Sequence, residues 1–294
     1  MAAIAAVGFG TFLALFSVPA TTGDTLLIEQ QFFGSFGSAS RISVDASGLI
    51  YVIDEDRHTV SRFKDLREAA QTVGGYGWDA TTFDRPTAVA SDGLNLYVSD
   101  YGNHRIIRYD RNLVFVSSLI TRDTSFAPAQ FGYPLGLALS RQGDLFVLDG
   151  ENVRVVQFDS RSGFVRSFGT MESREGKLHQ PIEISISPDD RVLVLENDRI
   201  VEFDFAGNFI RSVGEGVIRN STGMCVVKDG FLVTAHDSLI WFNVDGSVRT
   251  RIAASTVMGT FPVLPLRDAA IWRDQLLLLT PTRIGVFQIE STSR

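Results

Sequence analysis

The sequence has 294 residues, of which 45% are hydrophobic and 21% are charged. It is therefore neither disordered nor collagen-like, and it can bury a large core. Its 27 Lys and Arg against 34 Asp and Glu give a net charge of −7, which argues against binding to a nucleic acid backbone. One Cys excludes a disulfide framework and a Cys-rich zinc site.

The first twenty residues are typical of an export signal. Ala2 to Ala20 carries no charge and consists almost entirely of apolar or small residues. Val18 and Ala20 place small residues at the −3 and −1 positions of a cleavage site after Ala20. We interpret residues 1–20 as a signal peptide, with an uncleaved membrane anchor and a buried core helix as the alternatives. The signal and anchor readings both predict an extracytoplasmic protein, periplasmic or secreted, which touches a membrane only if the segment is uncleaved.

The rest of the chain is an internal repeat. Each copy has a short apolar strand, a turn with Gly or Asp, a second apolar strand and an amphipathic third strand. The second strands end at Asp54, Asp100, Asp149, Glu196, Ala235 and Thr280. A period near 45 residues built from short strands is typical of propeller blades. The sequence therefore predicts an all-β fold, a six-bladed β-propeller of four-stranded antiparallel blades.

The two ends of the repeat region complement each other. The last copy ends near Glu290 without a fourth strand, and residues 25–33 form a strand-like segment before the first copy. We predict that this N-terminal strand completes the last blade and closes the ring, since closure leaves no open sheet edge. The propeller then covers residues 24–290, with 291–294 as a tail. The fourth strand of blade two is predicted at residues 113–117.

Two copies carry a more specific signature. The residues that form it are Phe83 to Pro86, Asp100, Asn103 and Arg105 in blade two, and Phe131 to Gly136, Asp149, Asn152 and Arg154 in blade three. The pattern resembles the NHL-repeat family of six-bladed β-propellers. This resemblance implies the fold across nearly the whole chain. It leaves function open, because related propellers serve as binding modules, lyases and lactonase-like enzymes.

The acid and Arg that recur in each turn have two interpretations. Asp100 with Arg105, Asp149 with Arg154, and Glu196 with Arg199 could be catalytic ion pairs. Recurrence at one position of successive blades favours a structural role, because a catalytic pair is needed only once. We therefore predict that each pair clamps the turn between its second and third strands by charge-assisted hydrogen bonds.

No catalytic set is recognisable. His58 and His104 hold equivalent positions in adjacent blades, and His179 and His236 lie elsewhere in the repeat, so three ligands for a catalytic zinc are not expected to converge. Lyase members of the resembled family use His ligands near the channel, and no matching set is present. Cys225 lies in an apolar first strand, where an inert buried thiol is expected.

The best candidate site follows from the ring geometry, because first strands line the central channel. The position just before each first strand holds Arg41, Ala88, Gly136, Glu183, Gly223 and Asp268. We predict a ligand site at the channel mouth formed by Arg41, Glu183 and Asp268 and extended by Arg85 and Tyr133. No cofactor is expected, except that Glu183 and Asp268 are candidate ligands for Ca²⁺. The alternative is an ion network that caps the channel. Tyr76 and Trp78 could add aromatic contact area for a partner.

Two functions from different classes remain. The first is an exported binding module, monomeric, that presents its loop face and channel mouth to a protein, peptide or small ligand. The second is a metal-dependent lyase or lactonase-like hydrolase with a site at the channel mouth. RNA binding, known for some animal relatives of the repeat, is not expected from the charge of −7 and the export signal.

Overall fold

The computed structural model describes residues 25–66, 71–254, 257 and 264–291. The segment interpreted as a signal peptide, residues 1–20, lies outside the described residues. Within the described residues the chain forms six sheets of four antiparallel strands each. The predicted six-bladed propeller is confirmed.

In each blade the first strand lies closest to the ring axis and the second strand follows it outward. The first strands are β2 (Ala39–Val44), β6 (Pro86–Ser91), β10 (Pro134–Leu139), β14 (Pro181–Ile186), β18 (Ser221–Val227) and β22 (Asp268–Trp272). The second strands are β3 (Ile50–Asp54), β7 (Asn95–Asp100), β11 (Leu145–Asp149), β15 (Val192–Glu196), β19 (Gly230–Ala235) and β23 (Gln275–Leu279). Each pair is joined by a short turn, as the Gly- and Asp-containing sequences predict.

The third and fourth strands complete the blades. The third strands are β4 (Thr59–Phe63), β8 (Arg105–Asp110), β12 (Arg154–Phe158), β16 (Ile200–Phe203), β20 (Ser238–Asn243) and β24 (Ile284–Ser291). The fourth strands are β5 (Thr72–Gly74), β9 (Phe115–Leu119), β13 (Phe164–Phe168), β17 (Phe209–Val213), β21 (Val248–Ala253) and, from the start of the chain, β1 (Thr25–Phe33).

The fourth strand of blade two begins two residues later than the sequence suggests. The prediction was 113–117, whereas β9 covers Phe115–Leu119. The cause is a tight turn. Leu113 has a left-handed backbone with φ of 60°, and its N–H donates to the carbonyl of Asp110 at 3.0 Å. An apolar residue in a turn looks like strand in the sequence, so the shift could not be seen there.

The ring closes as predicted. β1 pairs antiparallel with β24, from Thr25 opposite Ser291 to Phe33 opposite Ile284. Phe33 also packs edge-on against Phe63 of blade one, with ring centroids 5.4 Å apart. The N-terminal strand therefore joins blade six to blade one. β24 runs to Ser291, the first residue of the predicted tail, and residues 292–294 lie outside the described residues.

The apolar core lies between neighbouring blades. One cluster, for example, combines Tyr51 and Ile53 of blade one with Leu96 and Val98 of blade two. Every residue of β3, β11 and β15 is buried, because these central strands are covered on both faces. Each blade is thus stabilised by its neighbours, as in other repeat folds whose units cannot bury their faces alone.

Strand direction defines two faces of the ring. Because neighbouring strands are antiparallel, first and third strands start at the same end of a blade and second and fourth strands finish there. We call this end the upper face. It carries the turns between second and third strands and the loops between blades. None of the described residues belongs to a helix long and apolar enough to cross a membrane.

Candidate functional site on the upper face

The first strands surround a central cavity of about 320 Å³, which Arg41, Glu183, Asp268 and Cys225 help to line. The six-membered ring of positions read from the sequence lies inside the first strands rather than just before them. In blades one to five each position follows a shift in strand register, for example between Ala39 and Arg41. These bulges were not visible in the sequence. They turn the side chains of this ring towards the axis.

Arg41, Glu183 and Asp268 form what we call the mouth cluster. The Arg41 guanidinium, from blade one, donates to the carbonyl of Thr222 at 2.8 Å and to that of Ile182 at 3.3 Å. Its Nε lies 3.9 Å from Glu183 Oε2. Arg41 therefore spans the channel and joins blade one to blades four and five.

The two acids of the mouth cluster are held by backbone N–H groups. Asp268 is only 1% exposed, and its oxygens accept the N–H groups of Ile42 at 3.0 Å and Ala269 at 2.8 Å. Glu183 Oε2 accepts the N–H of Met224 at 3.0 Å. Gly223 lies beside Asp268, and a Cβ there would collide with Asp268 Oδ1. The small residue in this ring makes room for the neighbouring acid.

Burial dominates the electrostatics of the channel. It raises the pKa of Asp268 well above its usual value, and the nearby Glu183 raises it further, while Arg41 opposes both effects. Burial also raises the pKa of Glu183, again opposed by Arg41. Burial, together with Asp268, raises the pKa of the Cys225 thiol to about 12. A thiol that stays protonated is a poor nucleophile.

The mouth cluster is a poor fit for a metal ion. Its acid oxygens already accept N–H groups, and Arg41 supplies a cation between its carbonyl and carboxylate partners. Among the described residues, no three His, Cys, Asp or Glu side chains are grouped so as to hold a metal ion. Within the mouth cluster, Arg41 and Glu183 form an ion pair, and backbone N–H groups hold Asp268.

The recurring acids act as clamps. Asp100 accepts hydrogen bonds from Asn103 Nδ2 at 2.8 Å, from Arg105 Nε at 2.7 Å and from the N–H of Asp84 at 2.7 Å. In blade three Asp149 receives the equivalent bonds from Asn152, Arg154 and Gly132. In blade four Glu196 accepts a hydrogen bond from Arg199 Nε at 2.8 Å. The predicted turn clamp is confirmed, and it also holds the segment that leads into the blade.

The clamp of blade two extends into the loop between blades one and two. Asn103 Nδ2 donates to the carbonyl of Gly77, and Arg105 donates to those of Trp78, Asp79 and Thr82, all at 2.9–3.0 Å. Tyr109 donates to the carbonyl of Ala80 at 2.9 Å. This loop therefore has a backbone fixed from below by buried side chains.

The side chains of this loop point outward and begin an aromatic surface. Tyr76 and Trp78 are 70% and 68% exposed. Arg85 stacks on the ring of Tyr101 at 4.3 Å, and Tyr101 lies 5.0 Å from the ring of Tyr133. We call these five residues (Tyr76, Trp78, Arg85, Tyr101 and Tyr133) the rim patch. They occupy the upper face of blades one to three.

The five residues predicted for the site thus fall into two groups. Arg41, Glu183 and Asp268 converge in the channel, whereas Arg85 and Tyr133 are not among the residues that line it and belong to the rim patch instead. Tyr101 was missed by the sequence reasoning. Its place in the turn directly after Asp100, within the strongest repeat signature, is the signal that could have found it.

The repeats themselves are recognisable by comparison with known proteins. A family model described as NHL repeat matches residues 83–109 and 131–158, which form most of blades two and three. The chain contains NHL repeats. The two matched blades are also those that carry the full acid, Asn and Arg clamp and most of the rim patch.

Sequence relatives cover less than half of this propeller. Peptidyl-glycine alpha-amidating monooxygenase B of Xenopus laevis is 32% identical over 142 residues, which are 45% of this chain and 16% of that protein. NHL repeat-containing protein 3 of Mus musculus is 24% identical over 148 residues, 47% of this chain and 41% of that protein. The propeller therefore spans less than half the length of the curated relatives it matches.

Solved structures share the fold over nearly the whole chain. A streptogramin B lyase structure superposes with a TM-score of 0.62 at 10% identity and covers 90% of this chain and 98% of its own. A catalytically inactive virginiamycin B lyase from Staphylococcus aureus, solved with quinupristin, gives 0.58 at 13% identity, with 91% and 88% covered. Identities this low show a shared fold alone.

We expect Asn103→Ala to destabilise the propeller by about 2–3 kcal/mol, because Asn103 donates both to the Asp100 carboxylate and to the Gly77 carbonyl. Asn152→Ala in blade three is the matched control. Asn152 Nδ2 donates to Asp149, so a smaller loss of about 1–2 kcal/mol is expected. Urea unfolding measures both losses. Equal losses would contradict a special role for the clamp of blade two in holding the loop.

Proposed function

We propose that this propeller is an exported, monomeric binding module whose rim patch receives a protein or peptide partner on the upper face. One observation carries the proposal. Tyr76 and Trp78 are about two-thirds exposed on a loop whose carbonyls at Gly77, Trp78 and Ala80 are tied to buried side chains. Large aromatic side chains on a rigid backbone lose little entropy on binding. Extracytoplasmic location is proposed from the signal-like residues 1–20.

The composition of the rim patch supports a protein partner. Interface cores are enriched in Tyr, Trp and Arg, and binding hot spots are drawn from the same residue types. The rim patch contains three Tyr, one Trp and one Arg. Within it, Arg85 already stacks on Tyr101, and the ring of Tyr101 contacts that of Tyr133, so these three side chains need little rearrangement on binding. The net charge of −7 gives no support to a nucleic acid partner.

A variant pair tests the proposal. The immobilised full-length protein is incubated with the extracytoplasmic fraction of the cells that make it, and bound proteins are quantified after cross-linking. Tyr76→Ser with Trp78→Ser should weaken binding of a specific partner by at least about 30-fold, as expected for loss of one hot-spot contact. Both side chains are exposed, so folding should be unchanged.

The control lies on the lower face. Val244→Ser with Val248→Ser removes two exposed apolar side chains, 51% and 43% exposed, one from the turn between the third and fourth strands of blade five and one from the start of the fourth strand. This variant should bind as wild type does. Equal binding of the partner to the wild type and to both double variants would overturn the proposal. So would the absence of any protein whose binding to the wild type saturates.

The second candidate function is a metal-dependent lyase or lactonase-like hydrolase with Glu183 and Asp268 at the channel mouth. The partial likeness to the amidating monooxygenase of Xenopus laevis favours testing it. A Ca²⁺ or Zn²⁺ ion bound by the native state alone must raise the melting temperature. A rise for wild type that disappears in Glu183→Gln would support this second function. An unchanged melting temperature would leave the binding module as the function to pursue.

A further inference from the structure

Two histidines below the rim patch make the same unusual contact. Nδ1 of His58 in blade one accepts the N–H of Arg85 at 2.9 Å. Nδ1 of His104 in blade two accepts the N–H of Tyr133 at 3.2 Å. Arg85 and Tyr133 each precede the first strand of the next blade. Each histidine therefore crosses a blade boundary and holds one residue of the rim patch.

All four residues have a left-handed backbone. The φ angles are 53° and 52° for His58 and His104, and 56° and 51° for Arg85 and Tyr133. Non-glycine residues adopt this conformation only where their surroundings enforce it. Each imidazole acceptor binds the amide of one such residue, Arg85 or Tyr133. The rings also touch the rim patch directly, since His58 lies 5.2 Å from Tyr76 and His104 lies 4.1 Å from Tyr133.

The two histidine contacts lie at the two blade boundaries that carry the rim patch. In blade three the equivalent residue is Val153, which has the same left-handed backbone with φ of 51° but no ring nitrogen. At the next boundary the N–H groups of His179 and Gln180 donate to Glu196 instead. The two imidazole acceptors thus serve the two boundaries that the rim patch covers.

We propose that His58 and His104 are positioning residues that hold Arg85 and Tyr133 in the binding geometry while neutral and release them when protonated. This inference rests on the proposed function of the rim patch. Nδ1 can accept an N–H only when the ring proton is on Nε2. A second proton turns Nδ1 into a donor that faces another donor, so the hydrogen bond is lost. Binding at the rim patch should therefore weaken on acidification.

The surroundings of His104 favour the neutral ring, as the proposed hydrogen bond requires. Burial lowers the pKa of His104, and Arg122 lowers it further, against the opposing effects of Glu151 and Asp100. Because the folded state disfavours the proton, the stabilising hydrogen bond is fully present above the ordinary pKa of about 6.5. It is lost as the pH falls from there through the lower folded value. The rings of Tyr101 and Tyr133 complete this environment.

The neighbours of His58 come from its own turn and from the next blade. They are Asp54, Glu55, Asp56 and Arg57 in the turn, and Tyr76 and Arg85 across the boundary. The geometry of the accepted hydrogen bond is the feature that His58 shares with His104.

Asparagine replaces each histidine with an acceptor that does not titrate. Asn tolerates the left-handed backbone, and its side-chain oxygen can accept the same N–H. The test follows the amide resonances of Arg85 and Tyr133 by NMR in the ligand-free full-length protein from pH 8 to pH 5. In wild type both amides should shift with the titration of the imidazoles, and their hydrogen-exchange protection should fall at least about fivefold at pH 5.

The variants then separate positioning from simple structural support. His58→Asn with His104→Asn should keep both amides protected and remove their pH dependence. His58→Ala with His104→Ala should leave both amides unprotected at every pH. A wild-type protein whose Arg85 and Tyr133 amides do not respond to pH would overturn the inference and leave the proposed function standing. Loss of the proposed function would be seen instead in the Tyr76 and Trp78 variants.

Discussion

Deletion of residues 25–33 is expected to abolish cooperative folding of the whole propeller. These residues form β1, whose pairing with β24 supplies the fourth strand of blade six, and Phe33 joins blade six to Phe63 of blade one. Without β1 the ring has an open edge and loses buried apolar contacts at the blade boundary. The cost is comparable with the entire stability of a domain, about 5–15 kcal/mol. Thermal unfolding followed by circular dichroism measures the loss.

A matched control moves the strand instead of removing it. Thr25 lies opposite Ser291 in the antiparallel pair, so a short hairpin loop after Ser291 can carry residues 25–33 at the other end of the chain. This rearranged protein should regain a cooperative transition, because the same strand pairs in the same register. A truncated protein that unfolds at the wild-type temperature would contradict a structural role for the closing strand.

Arg41→Met is expected to destabilise the protein by about 3–5 kcal/mol at pH 8, because it leaves buried carboxylates without their cation. The carbonyls of Thr222 and Ile182 would also lose a donor. Urea unfolding at several pH values measures the effect. Arg41→Met with Glu183→Gln should recover part of the loss, since one of the two acids is then neutral.

The pH dependence has a definite sign. Burial already raises the pKa of Asp268 and Glu183 in the folded protein, and Arg41 opposes this rise. Without Arg41 both values rise further, so the folded state binds protons more readily than the unfolded state. The part of the cost that comes from the unpaired carboxylates is complete above the folded pKa values and disappears below the unfolded values near pH 4. The variant should be closer to wild type at pH 5 than at pH 8. An equal loss at both pH values would contradict the cluster as described.

The fold could be predicted from the sequence because the repeat is local. Each blade is a sequential meander whose apolar strands and turn residues lie within about 45 residues. The spacing of Asp54, Asp100, Asp149 and Glu196 therefore indicated the blades directly. One strand could not be predicted, because its local sequence pattern is weak. β5 has only three residues, Thr72–Gly74, and no fourth strand was predicted there.

The site was predictable in part. The ring of channel positions follows from the repeat, so Arg41, Glu183 and Asp268 could be placed together. The hydrogen bonds of Arg41 across the channel could not be predicted, because its carbonyl partners lie 141 and 181 residues away in the sequence. Whether Arg41 reaches them depends on the width of the channel. The contacts of His58 and His104 cross blade boundaries in the same way. Their equal spacing after Asp54 and Asp100 is visible in the sequence, but their acceptor role requires the folded geometry.

The proposed function places binding at the rim patch rather than at the mouth cluster. The polar groups of the mouth cluster bond mainly to backbone carbonyl and N–H groups around the channel, whereas the rim patch leaves Tyr76 and Trp78 in solvent above a fixed backbone. This rigid aromatic surface is why we propose that the protein recognises a macromolecule rather than a small substrate.

Hydrogen–deuterium exchange of the full-length protein, alone and with its cross-linked partner, is the most direct test of whether the partner binds the rim patch. If it does, we expect new protection in residues 74–85 and 131–135 and unchanged exchange in the lower-face turn around residues 244–248. Protection confined to the lower face, or to the first strands around the channel with none in residues 74–85, would contradict it.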